Sequence, residues 1–204
     1  MAEPVSIVVS AAALVVSVVT AWLTLFRRGT VRMTQPTVIF FGWDVSTAGR
    51  PASQKVFLRT LLYSTARRGH IIQSMYVTLR RGESRQTFNI WVYGDETLAR
   101  GSGIFAGESG IVCNHHFLLP EDSSSFSFLA GDYKLEVYAS LVGTTQPLDL
   151  YTVTLTVSQD AAKELQEKEC GLYFDWGPDS QRYYPHIERR KLLKASTYDV
   201  DAFS

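Results

Sequence analysis

No charged residue falls between Val5 and Phe26, and the run VSIVVSAAALVVSVVTAWLTLF predicts one continuous apolar helix. At about 1.5 Å per residue it reaches roughly 33 Å, enough to cross a hydrocarbon core of about 30 Å. A helix apolar on every side over such a length is unusual in the core of a soluble domain, so the run reads as a transmembrane segment. A cleaved signal peptide would carry positive charge before the run and small residues after it. Here Glu3 precedes it and Leu25-Phe26-Arg27-Arg28 follows.

After this segment the period changes from helical to alternating. Strands are expected at Thr37–Phe41, Val56–Tyr63, Gln73–Arg80, Thr87–Tyr93, Ile111–Leu118, Tyr133–Leu141 and Tyr151–Val157. Met75, Val77 and Leu79 share one face of the third; Phe88, Ile90 and Val92 share one face of the fourth. Gly94-Asp95, Gly101-Ser102-Gly103 and Ser123-Ser124-Ser125 break the runs. Short strands, close turns and no intervening helices predict an antiparallel β-sandwich, a mainly β fold. Ser158 is placed to cap a short helix over Gln159–Lys168, and Leu172, Phe174 and Trp176 then alternate as a further strand or flap. The organisation expected is an anchor over 1–28, a linker over 29–36, a sandwich over 37–180 and a basic C-terminal tail over 181–204.

Two features of the anchor bear on its setting. Ser6, Ser10, Ala13, Ser17, Thr20 and Thr24 step by 4, 3, 4, 3 and 4, a seam of small and hydroxyl residues with period 3.5. Such a seam lets a second helix approach closely, from another protein or from a second copy. Hydroxyls bonded to their own helix's carbonyls are the simpler alternative. Arg27, Arg28 and Arg32 flank the C-terminal side, so the positive-inside rule places the N-terminus outside and the domain in the cytoplasm.

Composition narrows the rest. The 204 residues are 46% apolar, with 20 Lys+Arg against 20 Asp+Glu, so the basic excess of a nucleic-acid binder is missing. Cys113 and Cys170 lie far apart without a CxxC spacing, which suggests neither a zinc cage nor a disulfide scaffold.

Ala130-Gly131-Asp132-Tyr133-Lys134-Leu135-Glu136-Val137 resembles the late strand of immunoglobulin-like and fibronectin-type domains. The resemblance implies a corner closed by Tyr133, whose hydroxyl would bond backbone just upstream. The paired cysteines and strand-C tryptophan of antibody domains are not both in place. Arg27–Gly42 and Asn114–Pro120 also resemble small bacterial single-pass membrane proteins, which carries no activity with it.

Catalytic chemistry has one weak candidate, Cys113-Asn114-His115-His116. On a strand Cys113 and His115 share a face and His116 takes the other, so a metal would need ligands such as His70 or His186 from elsewhere. Motifs for nucleotide, dinucleotide, calcium or hydrolase chemistry are absent, and no cofactor is expected. The tail offers Arg189, Arg190, Lys191 and Lys194 as a contact for anionic lipid. The leading expectation is a membrane-anchored sandwich that holds another protein without catalysing a reaction. A hydrolase or metal enzyme at His115/His116 is the second, and a ligand-sensing module outside the membrane the third.

Overall fold

The computed structural model describes residues 3–22, 29–44, 53–94, 99–101, 103–120 and 126–189. Helix α1 spans Glu3–Ala21. Strands follow at β1 Val31–Met33, β2 Val38–Asp44, β3 Ser53–Ser64, β4 His70–Arg81, β5 Ser84–Phe88, β6 Ile90–Tyr93, β7 Ala99–Arg100, β8 Ile104–Ala106, β9 Ile111–Leu118, β10 Gly131–Leu141 and β11 Leu148–Val157. Helix α2 spans Gln159–Glu164, and β12 Cys170–Gly177 and β13 Arg182–Arg189 complete the elements among the described residues.

The strands form two antiparallel sheets. The larger has the order β13-β12-β2-β3-β9-β6-β7, with β1 on the same side of β3 as β2; the smaller has the order β11-β10-β4-β5, with β8 also on β4. Their inner faces meet in one apolar core. Phe41 of β2 stacks on Phe128 at 5.1 Å, meets Tyr133 of the opposite sheet edge-on at 5.9 Å, and meets Phe174 of β12 at 5.3 Å. Met75, Val77 and Leu79 all point into this core, as their alternation predicts.

Helix α1 is uncovered along the whole of Pro4–Ala21 and is long and apolar enough to cross a membrane. Helix α2 begins as expected, with the Ser158 hydroxyl accepting from the Ala161 N–H at 3.1 Å. It ends at Glu164 rather than Lys168, the chain tightening into turns that lead to β12.

Three sequence expectations change. Thr87–Tyr93 is not one strand: it breaks at Asn89, β5 pairing with β4 in one sheet and β6 with β9 in the other. Phe88 and Trp91 are both buried, yet lie an odd number of residues apart, so strict alternation cannot hold across a chain that changes sheets. The linker contains a short strand, β1, whose Arg32 lies opposite Tyr63. Residues 182–189, read as tail, form β13 and make an eight-residue hairpin ladder with β12.

A close approach seats that hairpin. Phe40 lies flat across Gly42 and Gly171; a Cβ on Gly171 would come within 2.1 Å of the ring, and one on Gly42 within 2.5 Å. Only glycine lets β2 and β12 pair under this ring.

Candidate functional site

Strand β9 runs between β3 and β6, which fixes the histidine pair at the middle of the larger sheet. His115 points inward and is fully buried; His116 points outward. The Trp91 indole N–H donates to His115 Nδ1 at 3.1 Å. Since an indole only donates, Nδ1 holds the lone pair and the proton resides on Nε2. That Nε2 is buried with no partner among the described residues. Burial, with a smaller contribution from neighbouring His116, holds the His115 pKa down at about 3. His115 is therefore a neutral side chain clasped between Trp91 and Phe117, its one lone pair already engaged.

His116 belongs to an outer row. Register places His186, Tyr173, Phe40, Phe57 and His116 side by side across β13, β12, β2, β3 and β9. Ring centroids are 5.5 Å apart for Tyr173–His186, 4.8 Å for Phe40–Tyr173 and 4.9 Å for Phe57–His116. Beside this row Lys55 and Asp44 form a largely buried ion pair at 3.2 Å. Burial first, and the Lys55 charge second, lower the His116 pKa to about 4, with Asp44 acting in the opposite direction. His116, Lys55 and Asp44 together could move a proton or bind a small polar group, but at neutral pH His116 is uncharged.

The ligands a metal would need are placed apart. His70 lies in the other sheet, its Nδ1 3.1 Å from the Ser64 hydroxyl. His186 lies four strands from β9, about 19 Å at roughly 4.8 Å per strand, within 3.3 Å of Asp175 and 3.4 Å of Glu188. Among the described residues no three His, Cys, Asp or Glu side chains gather to hold an ion. No disulfide joins Cys113 and Cys170.

Tyr133 bonds backbone four residues upstream. Its hydroxyl donates to the Leu129 carbonyl at 2.9 Å and accepts from the Leu129 N–H at 2.8 Å. Comparison with protein-family models, curated proteins and solved structures finds no match for the chain.

The remaining sequence candidates divide. In α1, Ser17 donates to the Ala13 carbonyl at 2.8 Å and Thr20 to Val16 at 2.7 Å, so both hydroxyls are satisfied within their own helix. Ser6, Ser10 and Ala13 are exposed on the same helix. Arg32 is exposed on β1. Thr24, Arg27, Arg28, Arg190, Lys191 and Lys194 lie outside the described residues. Arg189 ends β13 within 3.8 Å of Glu164 and 3.5 Å of Glu167, so its charge faces α2 and the turn after it.

One half-buried network escaped the sequence reading. The Gln35 amide donates to the Tyr151 hydroxyl at 2.6 Å and to the Tyr183 hydroxyl at 2.8 Å; Tyr183 donates to the Pro36 carbonyl at 2.8 Å. Burial raises the pKa of both tyrosines, with the Tyr151 contact adding to the shift at Tyr183. The network latches β13, at one edge of the larger sheet, to β11, at the corresponding edge of the smaller. Its only sequence signal is the Gly177-Pro178 turn followed by a half-buried tyrosine at the right phase.

Proposed function

We propose that this chain is a single-pass membrane protein whose sandwich acts on the cytoplasmic side as a non-catalytic protein-interaction or scaffolding module. The observation that carries this reading is α1: an uncovered apolar helix that leads, after six residues, into a folded sandwich. Arg27, Arg28 and Arg32 on the sandwich side of the helix support the cytoplasmic placement. The seam Ser6-Ser10-Ala13-Ser17-Thr20-Thr24 supplies a face for a partner helix; satisfied hydroxyls still leave a small-residue surface on which two backbones can pack. Clasping of His115 by Trp91 supports a packing role for the inner histidine.

At the fold level the reading is of an immunoglobulin-like sandwich. Support comes from the order β2-β3-β9-β6 in one sheet and β11-β10-β4-β5 in the other, and from the Tyr133 corner at the start of β10. Strands β12 and β13 extend the first of these sheets beyond that arrangement.

The test joins topology to partnership. A reporter active only in the cytoplasm works when fused after Ser204, and the full chain resists carbonate extraction from membranes. A chain lacking residues 1–28 loses the membrane partners that co-purify with the full chain. A reporter active only outside, or an unchanged partner set without the anchor, refutes the proposal.

A further inference from the structure

The tether and an exposed apolar cluster share one end of the sandwich. Thr30 N–H donates to the Thr65 hydroxyl at 2.8 Å and Thr65 N–H to the Thr30 carbonyl at 2.9 Å, which pins the chain's entry to the turn between β3 and β4. The next exposed residues in that turn are Arg67 and Arg68. Beside it, Ile71 of β4 pairs with Phe105 of β8, and the Val142 N–H donates to the Ile71 carbonyl at 3.0 Å. These three apolar side chains are 51%, 58% and 58% exposed, although the sheet beneath them is well packed. The Phe105 ring lies over Gly69, where a Cβ would come within 2.4 Å of it, so the backbone holds the ring in place beside the arginines. Glu108, in the turn after β8, is an exposed acid beside this cluster.

Six residues separate Trp22 from Gly29, a reach of at most about 25 Å at roughly 3.5 Å per residue. The opposite end, marked by Glu83 after β4, lies a further eleven residues along that strand, roughly 35 Å at about 3.3 Å each. Arg189 lies toward that far end, because its partner Cys170 adjoins the Gly171–Gly42–Lys55 register. Resting on the anchor reading above, we propose that the tethered end is a membrane-seating surface. Phe105, Ile71 and Val142 enter the boundary between headgroups and acyl chains, while Arg67 and Arg68 pair with the phosphates of anionic lipid. Apolar side chains next to a pair of arginines suit that boundary, where the stems meet hydrocarbon and the guanidinium groups meet phosphate. The lipid contact thus falls on the β3–β4 turn and its neighbours.

Hydrogen exchange of the full chain in nanodiscs tests this, with phosphatidylcholine alone and with phosphatidylserine added. Amides of residues 65–69 and 142–147 exchange about threefold or more slowly in the anionic bilayer than in the neutral one, while the 82–85 turn is unchanged. Phe105→Ser with Ile71→Ser, both exposed positions, lowers the protection in either bilayer. Arg67→Gln with Arg68→Gln removes the difference between bilayers. Equal exchange at the two ends in both bilayers overturns seating, as does protection that needs an added protein. Carbonate extraction keeps the two readings distinct: a retained chain without protected turns leaves the anchor and removes the seating surface, whereas an extracted chain removes the anchor itself.

Discussion

His115 makes stability depend on pH in a window set by its burial. Unfolded, the imidazole takes a proton near 6.5; folded, it resists until about 3. Above the unfolded value neither state is protonated, and the fold keeps its full stability. As pH falls between the two values the unfolded chain gains a proton that the native chain does not, costing about 1.4 kcal/mol per unit. Between pH 7.5 and 5 His115 alone removes about 2 kcal/mol, and His116 acts in the same direction. For a domain of this size that lowers Tm by roughly 4–8 °C. Glu136, held below the usual carboxylate range chiefly by its bond from Lys134, has its effect at lower pH. The assay is unfolding of the full chain in nanodiscs, followed by tryptophan fluorescence at both pH values, for the native chain and His115→Gln. The variant starts less stable, since the clasp with Trp91 is altered, but loses about 2 kcal/mol less on acidification. Equal losses in the two proteins would show that His115 is solvated or already paired, and would refute the argument.

Tyr133→Phe keeps the ring but leaves the Leu129 N–H and carbonyl without the hydroxyl, so it costs about 1–3 kcal/mol in denaturant unfolding. Tyr183→Phe breaks the link from Gln35 to Pro36 and costs a similar amount, about 1–3 kcal/mol, with faster hydrogen exchange in β12 and β13 than in β10. In the membrane, Ser10→Leu with Ser17→Leu weakens helix association, whereas Val9→Leu with Val16→Leu does not; equal association of both pairs rules out the seam as a contact face.

What the sequence conveys about this fold depends on how one-sided each segment is. Gln73–Arg80 and Tyr133–Leu141 carry strong alternation because one face enters the core and the other meets solvent, and both are strands. Asn89 carries no such mark: the chain changes sheets there while both flanking segments remain apolar on alternate residues, so local pattern cannot show the phase slip. Strand β13 is hidden for a different reason. As an edge strand it is only half-buried at Tyr183, His186 and Ile187, and the cations around them give it the composition of a free tail. The histidine pair was legible as two side chains on opposite faces. Its meaning was not, because the His115 pKa is lowered chiefly by burial, and Trp91, whose indole N–H engages it, is brought beside it by pairing rather than by spacing. The apolar end cluster was equally invisible, since Ile71, Phe105 and Val142 become neighbours only through the register of β4 with β8 and the turn after β10.

Pro185 sits in the middle of β13, the outermost strand of the larger sheet. Proline has no N–H to offer, and Arg182, Glu188 and Arg189 add charge along the same border. Molecules confined to a bilayer meet one another far more often than the same number dispersed through a volume, and an open strand border is where such meetings propagate into stacks. With one donor deleted and charges on either side of the gap, a second copy cannot continue the ladder across this border without leaving polar groups unmet. With the chain anchored as proposed above, a densely populated membrane would therefore stay a lateral fluid of separate molecules along that side. Pro185→Thr, restoring the donor, would be the smallest change that could let it condense.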